Sequence, residues 1–179
     1  MGYILNYKQE IIRAMNMLAK DKRTIFLGQN VSYSGAVSIH ESLSGISDSQ
    51  RFEMPVAEDM QMGISIGLSL EGYIPVSIYP RMDFLILAAN QLVNHLDKIE
   101  EMSQARFRPK VIIRTQLGVK RPLDPGLQHC QDHTAALRAL LTNINVIRLD
   151  DAEAIMPSYG EAIRSDKSTV IIEIGEKLR

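Results

Sequence analysis

The chain has 179 residues, 45% of them hydrophobic and 23% charged, enough for one domain with a full core. With 20 basic and 21 acidic residues the net charge is −1, which leaves no electrostatic footprint for nucleic acid or a membrane surface. No apolar run is long enough to span a bilayer, the amino terminus lacks the pattern of a signal peptide, and the single Cys130 excludes an internal disulfide framework, so a cytoplasmic protein is expected.

Residues 7–20 read as a helix, with Ile11, Ile12, Met15 and Leu18 on one face. Residues 24–28 form a short buried strand ending in Gly28. A polar, small-residue region covers 29–49, followed by a brief strand at 51–54. A helix at 58–70 leads into a strand at 74–79, and 82–102 reads as one long helix, amphipathic toward its end. Residues 110–115 are a strand, and 116–130 a loop with Gly118, Pro122, Pro125 and Gly126. A helix at 131–141, a strand at 145–149, a helix at 151–164 capped by Asp150 or Asp151, and a strand at 169–174 complete the chain. This alternation implies a single domain over 1–179, a doubly wound α/β fold with a mostly parallel sheet and helices on both faces. Ligands of such sheets lie beyond the C-terminal strand ends. The loops after Gly28, Tyr79, Thr115 and Leu149 are therefore the functional candidates.

Glu58 opens the apolar, glycine-containing helix at 58–70, at the end of the sheet. A carboxyl in an apolar setting there is suited to proton exchange near neutrality. The plainer reading is that Glu58 and Asp59 only complement the positive end of a helix. Gly63 and Gly67 lie on one helical face, each costing about 1 kcal/mol relative to alanine, and close approach of another backbone or a flat ligand is a reason to tolerate them. There is no GxGxxG and no Walker-type loop, so phosphate has to be held by something else. His129 and His133 have metal-like spacing, but a zinc site needs three or four ligands and no others are obvious; no metal ligand is expected. Cys130 beside His129 lacks a recognisable orienting acid for nucleophilic chemistry.

Several segments, in order, carry a resemblance. These are Met54-Pro55-Val56-Ala57-Glu58, Gly63-Ile64-Ser65-Ile66-Gly67, Glu71-Gly72-Tyr73-Ile74-Pro75, Met82-Asp83-Phe84, Ala89-Asn90-Gln91-Leu92-Val93-Asn94, Val111-Ile112-Ile113-Arg114 with Gly118, and Gln128-His129. Together they resemble the pyrimidine-binding domain of thiamine-diphosphate enzymes, above all the beta subunits of 2-oxo acid dehydrogenases and then transketolase. The resemblance implies that Glu58 hydrogen-bonds the aminopyrimidine ring nitrogen and so promotes loss of the thiazolium proton. It implies that Phe84 packs on the pyrimidine, that Tyr79 and Pro80 lie at neighbouring pocket positions, and that His129 faces the substrate. Arg114 matches a structural or pocket arginine.

The chain also departs from that pattern. Gln29-Asn30 stands where the family often has Glu-Asp, so an acidic partner near the site is neutral. Cys130 follows His129 where the family usually has serine. Val119-Lys120-Arg121-Pro122-Leu123-Asp124 replaces a small-residue loop, and Lys120 and Arg121 are read either as a solvated loop or as contacts to an anionic substrate or partner. The family's diphosphate and magnesium motif does not occur in these residues, and a chain without the C-terminal domain of beta subunits and transketolases is expected. The resemblance therefore implies a split enzyme. In it, thiamine diphosphate and Mg²⁺ are held mainly by a separate diphosphate-binding subunit, in an alpha2beta2 hetero-oligomer with self-contact. The expected chemistry is transferase or lyase cleavage or formation of a C–C bond in a small-molecule 2-oxo acid or ketose, active only with the partner. The alternative is a non-catalytic scaffold or regulatory subunit that keeps the fold.

Overall fold

A computed structural model describes residues 5–34, 39–121 and 124–178. The amino-terminal Met1-Gly2 and, in the loop before His129, Pro122 and Leu123 lie outside the described residues. Six strands form one wholly parallel sheet in the order β2-β1-β3-β4-β6-β5. They are β1 (Thr24–Gly28), β2 (Arg51–Glu53), β3 (Ile74–Tyr79), β4 (Ile112–Leu117), β5 (Asn145–Leu149) and β6 (Thr169–Ile174). β3 and β6 are short apolar runs buried almost throughout, as expected for strands covered on both faces. Pro75 is tolerated inside the sheet because the β3–β4 ladder begins one residue later, at Val76 opposite Ile112.

The strands alternate between two cores. Phe26, Val76, Ile78, Ile112 and Ile171 face α1 (Tyr7–Leu18) and α7 (Ile155–Arg164). Tyr79, Ile113, Val170 and Ile172 face the other layer, which includes α3 (Glu58–Leu70), α4 (Met82–Leu85) and α6 (Thr134–Leu140). α1 begins where Asn6 accepts the Gln9 N–H at 3.0 Å, and its stripe of Tyr7, Ile11, Ala14, Met15 and Leu18 is buried. Within the polar region at 29–49, a short α2 (Ile39–Ser42) packs against α1.

The structure differs from the sequence reading in several elements. The expected helix at 82–102 is broken into α4, a 3-10 turn at Ile86–Ala88, a π-helical stretch at Asn90–Leu96 and α5 (Ile99–Met102). The π stretch leads into Asp97, whose buried carboxylate accepts the backbone N–H groups of Thr142 and Asn143. That remote demand leaves no trace in hydrophobic periodicity. β4 runs to Leu117 rather than Thr115, because its pairing with β6 continues through Leu117 opposite Ile174. Asp150 and Asp151 do not cap α7. A 3-10 turn at Ala152–Ala154 precedes it, and Asp150 instead binds Arg148 at 2.9 Å. Among the described residues no helix is long and apolar enough to cross a membrane.

Among the described residues three tyrosines are buried: Tyr7 between Leu149 and Ile174, Tyr79 at the end of β3, and Tyr159 against Glu173. Burial pushes all three phenols well above their ordinary range; the Glu173 charge adds to this at Tyr7 and Tyr159, and the Glu58 charge at Tyr79. A phenol that holds its proton more tightly when folded costs stability once the unfolded chain ionises. Stability is therefore expected to fall as pH rises past about 10, by up to about 1.4 kcal/mol per pH unit for each group. Phenolate absorbance recorded with circular dichroism checks this. Tyr7, Tyr79 and Tyr159 should ionise only together with loss of the dichroism signal.

Candidate functional site

At the edge of the sheet where β1, β3 and β4 end, Glu58 meets Tyr79, with Pro80 following it, and Phe84 meets His129. Glu58 is the first residue of α3, buried, and no side chain caps the helix ahead of it at Ala57. Among the described residues its carboxylate has no hydrogen-bond partner, while its carbonyl accepts the Tyr79 hydroxyl over a long 3.4 Å. Tyr79 ends β3, and Pro80 follows it, buried, with its carbonyl held at 2.7 Å by the buried amide of Gln116. Phe84, on α4, meets the His129 ring edge-on, with centroids 5.6 Å apart and planes at 89°.

His129 is placed by its backbone. Its carbonyl accepts from Arg81 Nη1 at 3.0 Å and lies directly against Gly118. A Cβ at Gly118 would lie 1.7 Å from that oxygen, so only glycine admits the loop this close. Gln131 reinforces the docking, with both its backbone and side-chain N–H groups on Asp83 Oδ1. His129 Nδ1 is buried without a hydrogen-bond partner, a polar atom left open beside the aromatic ring of Phe84. Gly118→Ala is expected to displace the 127–129 turn and break the Phe84–His129 contact, at a cost of about 1–3 kcal/mol. The ring-current shift of the His129 protons checks it, together with urea unfolding.

Behind Glu58 lies a buried polar network that the sequence reading did not contain. Gln61 is fully buried, and its Nε2 donates to Ser77 Oγ at 3.1 Å and to the Ile78 carbonyl at 3.0 Å. Its Oε1 accepts from Gln29 Nε2 at 3.1 Å, and the same nitrogen donates to the Pro55 carbonyl at 3.1 Å. Ser77 in turn reaches the Tyr79 hydroxyl at 3.3 Å. With both amide hydrogens of Gln29 engaged, the end it leaves free is Oε1, an acceptor only. One signal was available: Gln61 lies three residues after Glu58 on the face that also carries buried Ser65, where a polar side chain needs an internal partner.

Arg114 is not in contact with these side chains. It is wholly buried, paired with Glu173 through Nε at 2.7 Å and Nη2 at 3.0 Å, and bonded to Ser42 Oγ at 2.7 Å. Burial works against its charge, but Glu173, aided by Tyr159, outweighs this and holds the guanidinium above its usual range. Cys130 only donates to the Val119 carbonyl at 3.6 Å. Among the described residues no three His, Cys, Asp or Glu side chains converge as a metal site. A Cβ at Gly63 or Gly67 would meet no atom of the described residues within 4 Å, and Met60 and Ile64 are exposed nearby.

The model of the transketolase pyrimidine-binding domain matches residues 6–179. Among curated relatives, the chain is 31% identical over 125 residues to the pyruvate dehydrogenase E1 component subunit beta of Gracilaria tenuistipitata var. liui, which covers 69% of this chain and 38% of that protein. It is 28% identical over 144 residues to the 3-methyl-2-oxobutanoate dehydrogenase subunit beta of Mycobacterium tuberculosis, covering 76% of this chain and 41% of that one. The chain thus spans less than half the length of these curated relatives. A solved structure described as a split gene transketolase, an inactive beta4 tetramer, superposes with a TM-score of 0.73 at 20% identity, over 97% of this chain and 52% of that one. With a wholly parallel sheet in this strand order and a family match over nearly its whole length, the chain belongs to the transketolase pyrimidine-binding domain family.

Proposed function

We propose that this chain is the pyrimidine-binding subunit of a two-part, transketolase-like enzyme that uses thiamine diphosphate to cleave or form a C–C bond in a 2-oxo acid or ketose. The observation that carries the reading is Glu58, a buried residue whose carboxylate has no hydrogen-bond partner among the described residues, next to Tyr79 at the C-terminal edge of the sheet. The residues fit the pyrimidine half of the cofactor. They offer a carboxylate and, beside the half-buried ring of Phe84, the His129 Nδ1, both without a hydrogen-bond partner among the described residues. When bound, thiamine diphosphate supplies a nucleophilic carbon and an electron sink for the bond next to a carbonyl.

Glu58 would hold a proton at the pyrimidine ring nitrogen, which requires a carboxyl fixed in place and shielded from water. Phe84 and Pro80 would pack beside the ring, and His129 would face the substrate and orient its polar groups. The relatives named for pyruvate and 3-methyl-2-oxobutanoate support a 2-oxo acid, and the split-gene structure supports division of the site between chains. Residues for the diphosphate and Mg²⁺ would come from a separate subunit, in an alpha2beta2 assembly. The outward face of α3, with open space over Gly63 and Gly67, would meet a neighbouring subunit there.

Calorimetric titration with thiamine diphosphate and Mg²⁺ tests the division of labour. The isolated chain is expected to bind poorly, because most of the charge pairing to the diphosphate lies elsewhere. Tight binding by the chain alone would refute it.

A further inference from the structure

Glu58 stands in an exposed position mechanically. It is the first residue of its helix, Ala57 offers no capping side chain, and unsupported first turns fray. We infer that Gln61, acting with Gln29, is the positioning residue that fixes this helix start and with it the Glu58 carboxylate; the catalytic consequence rests on the function proposed above.

The bonds are arranged for that task. Gln61 is one turn along from Glu58, on the same side of α3, and its side chain has no solvent exposure. Its Nε2 is tied to β3 at Ser77 and Ile78. Its Oε1 is tied to Gln29, just past the end of β1, and Gln29 also holds the Pro55 carbonyl on the segment that leads into the helix. The ends of two central strands are thereby fastened to both the entry and the first turn of α3. The network is directional. Nε2 of Gln61 faces only acceptors or a hydroxyl, so neither amide can flip without setting like groups against each other. It is also uncharged, so it holds the same geometry as pH changes.

Gln61→Met removes both hydrogen-bonding ends at similar length. Gln61→Glu retains an acceptor and regains a donor only when protonated. Backbone amide protection in the free chain is read first, by NMR. In Gln61→Met, protection at Met62 and at position 61 is expected to fall at least tenfold, with Ser65, Ile66 and Leu68 unchanged. In Gln61→Glu the same loss should appear at about pH 8 and reverse toward about pH 5, as the new carboxyl takes up its proton. Tyr79, which is bonded to Ser77 and feels the Glu58 and Asp59 charges, is the nearest titratable neighbour of the network, and Gln61→Met at both pH values separates any effect of these groups from that of the new carboxyl. Wild-type protection in Gln61→Met, or a loss spread evenly along α3, would overturn the inference.

In the complex reconstituted with a diphosphate-binding partner, Gln61→Met should slow proton exchange at the thiazolium carbon at least tenfold, with thiamine diphosphate affinity changed less than threefold. Weakened affinity with unchanged exchange would also overturn it. If the wild-type complex itself failed to accelerate that exchange, the proposed function would fall, while the protection measurements on the free chain would still decide whether Gln61 holds the helix start.

Discussion

In a complex reconstituted with its diphosphate-binding partner, Glu58→Gln is expected to fold and bind normally, yet to lose proton exchange at the thiazolium carbon by about 10²–10⁴-fold. The amide has nearly the shape of the carboxyl, and Glu58 makes no side-chain hydrogen bond within the described residues that the change would break. What it cannot do is hold or share a proton at the pyrimidine ring nitrogen. If Glu58 only complemented the positive end of α3, the change would cost about 0.3–1 kcal/mol of stability and nothing specific to the chemistry. Deuterium exchange of the thiazolium proton, measured beside urea unfolding, separates the two. Unchanged exchange would return Glu58 to the role of an ordinary helix start.

The second large effect is on the fold. Arg114→Met is expected to destabilise the chain by about 3–5 kcal/mol, because it leaves the Glu173 carboxylate buried with, among the described residues, only the Tyr159 hydroxyl, at 2.7 Å, as a side-chain partner. The Ser42 hydroxyl loses its donor from Arg114 as well, which loosens α2 from β4. The double variant Arg114→Met, Glu173→Leu removes both charges together, and most of the loss should be recovered, since well-packed apolar groups often replace a buried pair without penalty. Denaturant unfolding of wild type, both single variants and the double variant gives the coupling directly. Equal and additive losses would mean that the pair is not a coupled unit. Because Arg114 is bonded to Glu173 and Ser42 rather than to Glu58, Phe84 or His129, cofactor affinity of the intact single variant should change little.

The amino-acid sequence by itself determined the layered α/β class, the strand positions to within two residues, and the place of Glu58 at a helix start beyond a strand end. These are read from local apolar periodicity, which fixes which face of each element is buried. The segments around Glu58, Phe84 and His129 also carried the family resemblance, which the domain match supports.

Only the tertiary structure decided which polar groups meet. Arg114 and Glu173 are 59 residues apart in the chain, and nothing local to either predicts that β4 and β6 are neighbours. The break in the helix expected at 82–102 leads to Asp97, whose partners come from Thr142 and Asn143. The docking of His129 depends on Gly118, whose missing side chain is meaningful only once the 127–129 turn lies against it. The Gln29–Gln61 pair joins the end of β1 to the first turn of α3, so Gln61 read as an ordinary helix residue. Periodicity sets burial residue by residue, whereas the partner of a buried polar group is set by sheet order and register, which join segments far apart in the chain.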